Sequence, residues 1–327
     1  MQKIILPRPL FCPFQPKINV YAKEAEVRSC EFLRKFNLAD SEAKVEYYRR
    51  QGFAYMVARM FPEAAPETLF AFTDLNTFLF LMDDRLDHSD ESGLQSVSNL
   101  EQYVTAFLDI LLISAPDTKI PEFLALFDIW ERIKKVSDHS WQNQFRQSMK
   151  EILDAALWQK RNVVMGVSPD FDEYIKIRQC LGAANIATDT IAVTSRISLH
   201  PDIWTDPVVR QLTILARNAV CWANDLFSLS KEVRHGDDYN LVLIIEKKEG
   251  LNREDAIQKV TEIHDRDVVK FIQLANNLPD VGKQAGEVQK YVRALTHIMR
   301  ANIDWSYNES DRYNFDYYPV PEYINAI

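Results

Sequence analysis

Residues 206–232, DPVVRQLTILARNAVCWANDLFSLSKE, decide how this chain is read. Apolar residues recur at intervals of three and four and cover most of the circumference, so the segment is expected to be a helix lining an interior. Near its carboxyl end Asn224, Ser228 and Glu232 follow at intervals of four, which puts an amide, a hydroxyl and a carboxylate in one stripe. The dipole at a helix carboxyl end disfavours anions, and a bound cation would reverse that penalty. All three side chains offer oxygen to one ion, and Asp225 and Lys231 flank them. A lysine beside a cation site suits a polyphosphate, which takes charge from both metal and protein. The ordinary alternative is an amphipathic helix polar on one side. Trp222, Leu226, Phe227 and Leu229 around the stripe count against it, because polar stripes beside apolar walls mark pockets.

A second segment, 66–87, PETLFAFTDLNTFLFLMDDRLD, repeats the pattern and ends in Asp83, Asp84 and Asp87. Carboxylates this close repel unless a hard cation joins them, and magnesium prefers oxygen ligands. Taken alone the cluster also reads as a solvated helix end, since Arg85, His88, Asp90 and Glu91 are polar too.

Only 8 glycines interrupt 327 residues, and the stretches between breakers repeat at three and four rather than alternating, which predicts an all-α chain. Helices are expected near 20–37, 41–60, 66–87, 99–113, 120–135, 139–165, 170–199, 206–231, 239–247, 252–277 and 282–308. A proline-bearing arm over 1–19 precedes them, and a tail over 307–327 follows. No stretch is polar and simple enough to be a linker, and no repeat stands out, so residues 1–327 read as a single-domain helical bundle around a central apolar cavity. The 47 acidic residues outnumber 38 basic ones, and the net charge of -9 argues against nucleic acid or an anionic membrane as partner. Cys12, Cys30, Cys180 and Cys221 lack zinc or redox spacing and read as free thiols. The start, MQKIILPRPLFCPF, is too short in apolar run and too rich in proline for a secretory signal, and nowhere is an apolar run long enough for a membrane span. A cytoplasmic location is expected.

The pair DDRLD at 83–87 and NDLFSLSKE at 224–232 resembles the two metal motifs of class I terpene synthases. Their order and their separation of 141 residues (224 minus 83) are similar to the bacterial-type single-domain members, over essentially the whole chain. The resemblance implies the class I terpenoid synthase fold and assigns further residues. Arg178, 46 positions before Asn224, matches the family's diphosphate sensor, and Gly182 matches its helix-break residue, whose carbonyl faces the substrate. A glycine inside a helical pattern otherwise costs about 1 kcal/mol. Leu181 stands where many relatives carry a polar residue. Arg312 and Tyr313, in a tail with Tyr307, Phe315, Tyr317 and Tyr318, match the Arg-Tyr pair that donates hydrogen bonds to the diphosphate. Without the resemblance that tail reads as packing material.

By the same resemblance Asp83, with Asp84 and Asp87, holds two Mg2+ ions and Asn224, Ser228 and Glu232 a third, all bridged by the diphosphate of an isoprenyl substrate. Charge growing on the leaving diphosphate is then met by the metals with Arg178, Lys231, Arg312 and Tyr313. The allylic cation left behind must be kept from water. Asn76, Leu79 and Phe80, within two turns before Asp83, and Trp305, before Arg312, are expected to face the cavity, with Phe80 able to offer a ring. Farnesyl diphosphate is favoured as the commonest family substrate, for a sesquiterpene product. Geranylgeranyl diphosphate (a diterpene synthase) and geranyl diphosphate stay open, because cavity depth depends on several helices.

Chain-elongating prenyltransferases share the architecture but carry two aspartate-rich motifs, whereas the second motif here is of the Asn-Ser-Glu type. A protonation-initiated cyclase needs a DxDD-like acid, and the sequence has none. The six histidines suggest no phosphohydrolase cluster. A helical binding module with solvated acidic clusters is the non-enzymatic rival. Relatives commonly form homodimers, though no feature of the sequence marks an interface. Asn224→Ala and Arg178→Ala are each expected to abolish turnover of a prenyl diphosphate while the helical circular dichroism signal stays intact; turnover retained in either breaks the residue assignments.

Overall fold

Start and stop signals place the helices. The computed structural model describes residues 3–87, 96–278 and 280–318. Strand β1 (Ile4–Leu6) is followed by α1 (Ala22–Lys35), α2 (Glu42–Arg50), α3 (Phe53–Met60), α4 (Pro66–Asp87), α5 (Val97–Ile110), α6 (Pro121–Val136), α7 (His139–Met165) and α8 (Phe171–Leu181). Then come α9 (Ala184–Asp189), α10 (Ile191–Thr194), α11 (Pro201–Trp204), α12 (Pro207–His235), α13 (Leu241–Glu249), α14 (Arg253–Ala275), a 3-10 turn (Gly282–Gln284), α15 (Ala285–Asn308) and β2 (Phe315–Tyr317). Ser41, Ser96, Asp138, Asp170, Asp206, Asn240 and Asn252 each cap a helix by accepting a hydrogen bond from a backbone N–H of its first turn.

Helix α12 packs against α14 and α15; α15 lies on α3, α3 on α4, and α4 on α1 and α6. This ring of neighbours follows from apolar circumference. Trp222, Leu226, Phe227 and Leu229 of α12 and Phe78 of α4 are buried, each worth about 1.5–3 kcal/mol of removal from water. Among the described residues no helix is long and apolar enough to cross a membrane.

The structure departs from the sequence reading in three places. The helix expected over 41–60 breaks into α2 and α3 at Gly52, whose φ is +67°. A Cβ there would collide with the Glu309 carbonyl oxygen. The corner is shaped by the end of α15: Trp305 Nε1 donates to Gln51 O at 2.9 Å and Asp311 N to Arg50 O at 3.0 Å. The helix expected over 170–199 is three pieces, α8, α9 and α10, with Ala183 left-handed at φ +52° between the first two.

Finally, the arm and the tail pair as parallel strands, Ile4 opposite Phe315 and Leu6 opposite Tyr317, with Lys3 Nζ 2.7 Å from Asp316 Oδ2. Two short strands are marginal alone. Here Leu6 is buried and Phe315 stacks on Phe227 of α12 at 4.3 Å between ring centroids. Gly52→Ala is expected to destabilise the fold by about 1–3 kcal/mol, through strain and the collision with backbone, and to lower the thermal midpoint accordingly. An unchanged melting curve contradicts that reading of the corner.

Candidate active site

Asp83 and Asp84 lie in the last turns of α4, where two neighbouring carboxylates repel each other. Arg312 resolves the conflict. Its Nη2 donates to Asp83 Oδ2 at 3.0 Å and to Asp84 Oδ1 at 2.8 Å, and Lys231 Nζ lies 3.9 and 3.5 Å from the same two groups. Burial works against an ionised Asp84, yet Arg312 and Lys231 hold it below the ordinary carboxylate range. Asp84 is thus buried and committed to two cations, while Asp83 is half exposed and lines the cavity described below. The side chain of Asp87, the third expected ligand on this helix, lies outside the described residues.

One helix away, the stripe on α12 is drawn together as its spacing implies. Asn224 Oδ1 accepts from Arg178 Nη2 at 2.7 Å, and Asn224 Nδ2 donates to the Tyr313 hydroxyl at 2.8 Å. Ser228 Oγ sits 2.7 Å from both Asn224 O and Glu232 Oε1, and the Asn240 amide bonds to the other Glu232 oxygen. Burial, with Asp225 and Asp237 close by, pushes the Glu232 carboxyl up to about 8. A carboxylate that is hard to ionise without added positive charge fits a cation site.

Among the described residues no three Asp, Glu, His or Cys side chains converge on one point. The candidate donors are mixed hard oxygens, from the amide of Asn224, the hydroxyl of Ser228 and the carboxylates of Glu232 and Asp83, a set that suits an oxygen-seeking divalent ion.

Arg178 is buried beside the stripe because Asp225 is there. Arg178 Nε donates to Asp225 Oδ1 at 2.8 Å, and the fully buried Asp225 also accepts from the Tyr174 hydroxyl and from Leu241 N, both at 2.9 Å. Gly182 has an ordinary backbone, φ -90°, so its lack of a side chain serves space: a Cβ would collide with the Arg178 guanidinium. The sequence reading missed Asp225 as the hub and Asn240 as the group that orients Glu232. The one available signal for Asn240 is its position before the apolar run of α13, where it caps that helix.

Asp83, Arg178, Gly182, Asn224, Ser228, Lys231, Glu232, Arg312 and Tyr313 all line one cavity of about 600 Å³, within the range of ligand pockets. Asn76, Leu79, Phe80 and Trp305 line it too. Phe80 does so with one face already covered, stacked on Phe53 at 4.2 Å, and with the Arg312 guanidinium 4.9 Å from its ring centre. Phe53 was not foreseen as its partner.

A family model described as terpene synthase family 2, C-terminal metal binding, matches residues 74–270, more than half of the chain. The chain belongs to that family. It is similar to the germacrene A synthase of Nostoc punctiforme, with 26% identity over 96% of this chain and 97% of that protein. It is also similar to the farnesyl diphosphate-cyclising 4-epi-cubebol synthase of Streptosporangium roseum, with 29% identity over 92% and 91%. The fold matches that of a linalool/nerolidol synthase from Streptomyces clavuligerus, TM-score 0.78 at 19% identity over 91% of this chain and 99% of that one. It also matches that of an SVS_A2 protein from ancestral sequence reconstruction, TM-score 0.82 at 22% identity over 97% and 96%. Family and relatives together make this a bacterial-type class I terpene synthase, a metal-binding lyase with the all-α class I terpenoid synthase fold.

The burial of Asp225 revises the expectation for Arg178→Ala, because removing one partner of a buried pair strands the other charge at a cost of about 3–5 kcal/mol. The variant is expected to melt earlier as well as to lose turnover. Arg178→Ala combined with Asp225→Asn should regain part of that stability and none of the activity. A double variant no more stable than the single one contradicts the pairing.

Proposed function

We propose that the protein ionises and cyclises farnesyl diphosphate to a sesquiterpene and releases diphosphate, using three Mg2+ ions, as one domain over residues 1–327 working in the cytoplasm. One observation carries this reading: the oxygen donors of α4 and α12 and four groups suited to a diphosphate gather at one end of a cavity whose remaining wall is largely apolar. The names of relatives that cyclise farnesyl diphosphate support the choice of substrate.

Mg2+ held by Asp83 and by Asn224, Ser228 and Glu232 would supply positive charge to the oxygens of the leaving group. The side chains do the rest. Arg178, Lys231 and Arg312 bind the anionic headgroup and stabilise the charge that grows on it as the carbon–oxygen bond breaks. Tyr313 accepts from Asn224, which leaves its own O–H proton to donate to a phosphate oxygen. Asp225 fixes Arg178, and Asn240 fixes Glu232. Leu75, Leu79 and their neighbours keep bulk water from the hydrocarbon chain, so the cation reacts first with its own double bonds.

Purified protein is to be incubated with geranyl, farnesyl and geranylgeranyl diphosphate, each with Mg2+ and with a chelator, and the volatiles analysed by gas chromatography and mass spectrometry. A cyclic sesquiterpene from farnesyl diphosphate, lost on chelation, is the expected result. Turnover of geranylgeranyl diphosphate alone, or turnover indifferent to chelation, contradicts the proposal.

A further inference from the structure

A carboxamide interrupts the apolar wall of the cavity. Asn76 lies on α4 seven residues before Asp83, about 10 Å deeper along the helix, in line with Phe72, Leu75 and Leu79. Among the described residues the hydrogen-bond partner recorded for its side chain is the sulfur of Met56, 4.0 Å from Nδ2, and sulfur is a weak acceptor. Two other polar groups of the wall are better served. Asn302 Nδ2 donates to Val220 O at 3.3 Å and the Thr190 hydroxyl to Ala187 O at 2.9 Å.

A hydrocarbon chain filling the cavity offers the Asn76 carbonyl no donor, and an amide kept dry loses the hydrogen bonds it made in water. A single water restores them in a space that small.

On the reading that the protein cyclises farnesyl diphosphate, we propose that Asn76 holds one water beside the bound prenyl chain, and that this water ends the reaction, making the product a sesquiterpene alcohol. Asn76 Oδ1 accepts a hydrogen bond from the water and so turns a lone pair of its oxygen toward the chain. That lone pair forms a carbon–oxygen bond to the carbon bearing the positive charge. The resulting oxonium gives up a proton to solvent water as the product leaves, and Asn76 itself is unchanged. Two helical turns below the diphosphate end, the water meets carbons remote from the one that lost the leaving group.

The test compares the wild type with Asn76→Leu, which keeps the branched shape and removes both polar atoms, on farnesyl diphosphate and Mg2+ in oxygen-18 water. The wild-type product is expected to be an alcohol carrying one heavy oxygen. In Asn76→Leu the alcohol share of whatever product forms should fall about tenfold in favour of hydrocarbons, the size of one lost hydrogen bond. Asn76→Ser, which retains an oxygen, should keep a larger alcohol share than Asn76→Leu. Hydrocarbons alone from the wild type, an unlabelled alcohol, or equal alcohol shares in wild type and Asn76→Leu each overturn the assignment. A wild type that turns over no farnesyl diphosphate fails the underlying function itself, a result distinct from these.

Discussion

Two adjacent carboxylates at the carboxyl end of an apolar helix are disfavoured twice, by each other and by the helix dipole, and Arg312 is the group that makes the arrangement tolerable. Its guanidinium joins Asp83 and Asp84 at 3.0 and 2.8 Å, and the next residue, Tyr313, joins Asn224 on α12. One dipeptide therefore ties the tail, α4 and α12 together around the cavity mouth. The pairing of β1 with β2 follows within five residues, so the amino-terminal arm is fastened to the segment that carries this dipeptide.

Buried ion pairs add little to stability compared with well-packed hydrocarbon, so their accumulation at one place points to chemistry more than to folding. Arg178 with Asp225 is the clearest case. Asp225 is fully buried and takes three separate donors, and Gly182 gives up its side chain so that Arg178 can reach it. Asn240 works in two directions, capping α13 and holding Glu232 against Ser228. These groups position the atoms that would meet metal and diphosphate before either arrives, which is how such sites avoid reorganisation during reaction.

The long helices were legible because their apolar residues recur on most of the circumference, and the stripe of Asn224, Ser228 and Glu232 followed from helical spacing alone. The break at Gly52 was not, since it answers to a carbonyl at Glu309, far away in sequence, and the one at Gly182 was pointed to by the family resemblance and not by the periodicity. Three-residue strands such as β1 and β2 are too short to show a period. Asp225 looked like a flanking charge because its partners Tyr174 and Leu241 lie on other helices. Phe80 was foreseen on the cavity wall, but its stacking on Phe53 depends on how α3 meets α4.

Whether α4 and α12 build one site is best tested with inorganic diphosphate, whose binding can be followed by titration calorimetry with and without Mg2+ in the wild type, Asp83→Asn and Glu232→Gln. Diphosphate should bind only with Mg2+, and each substitution, on its own helix, should weaken that binding by about tenfold or more. Binding indifferent to Mg2+, or undiminished in Glu232→Gln while lost in Asp83→Asn, contradicts a single site shared by the two helices.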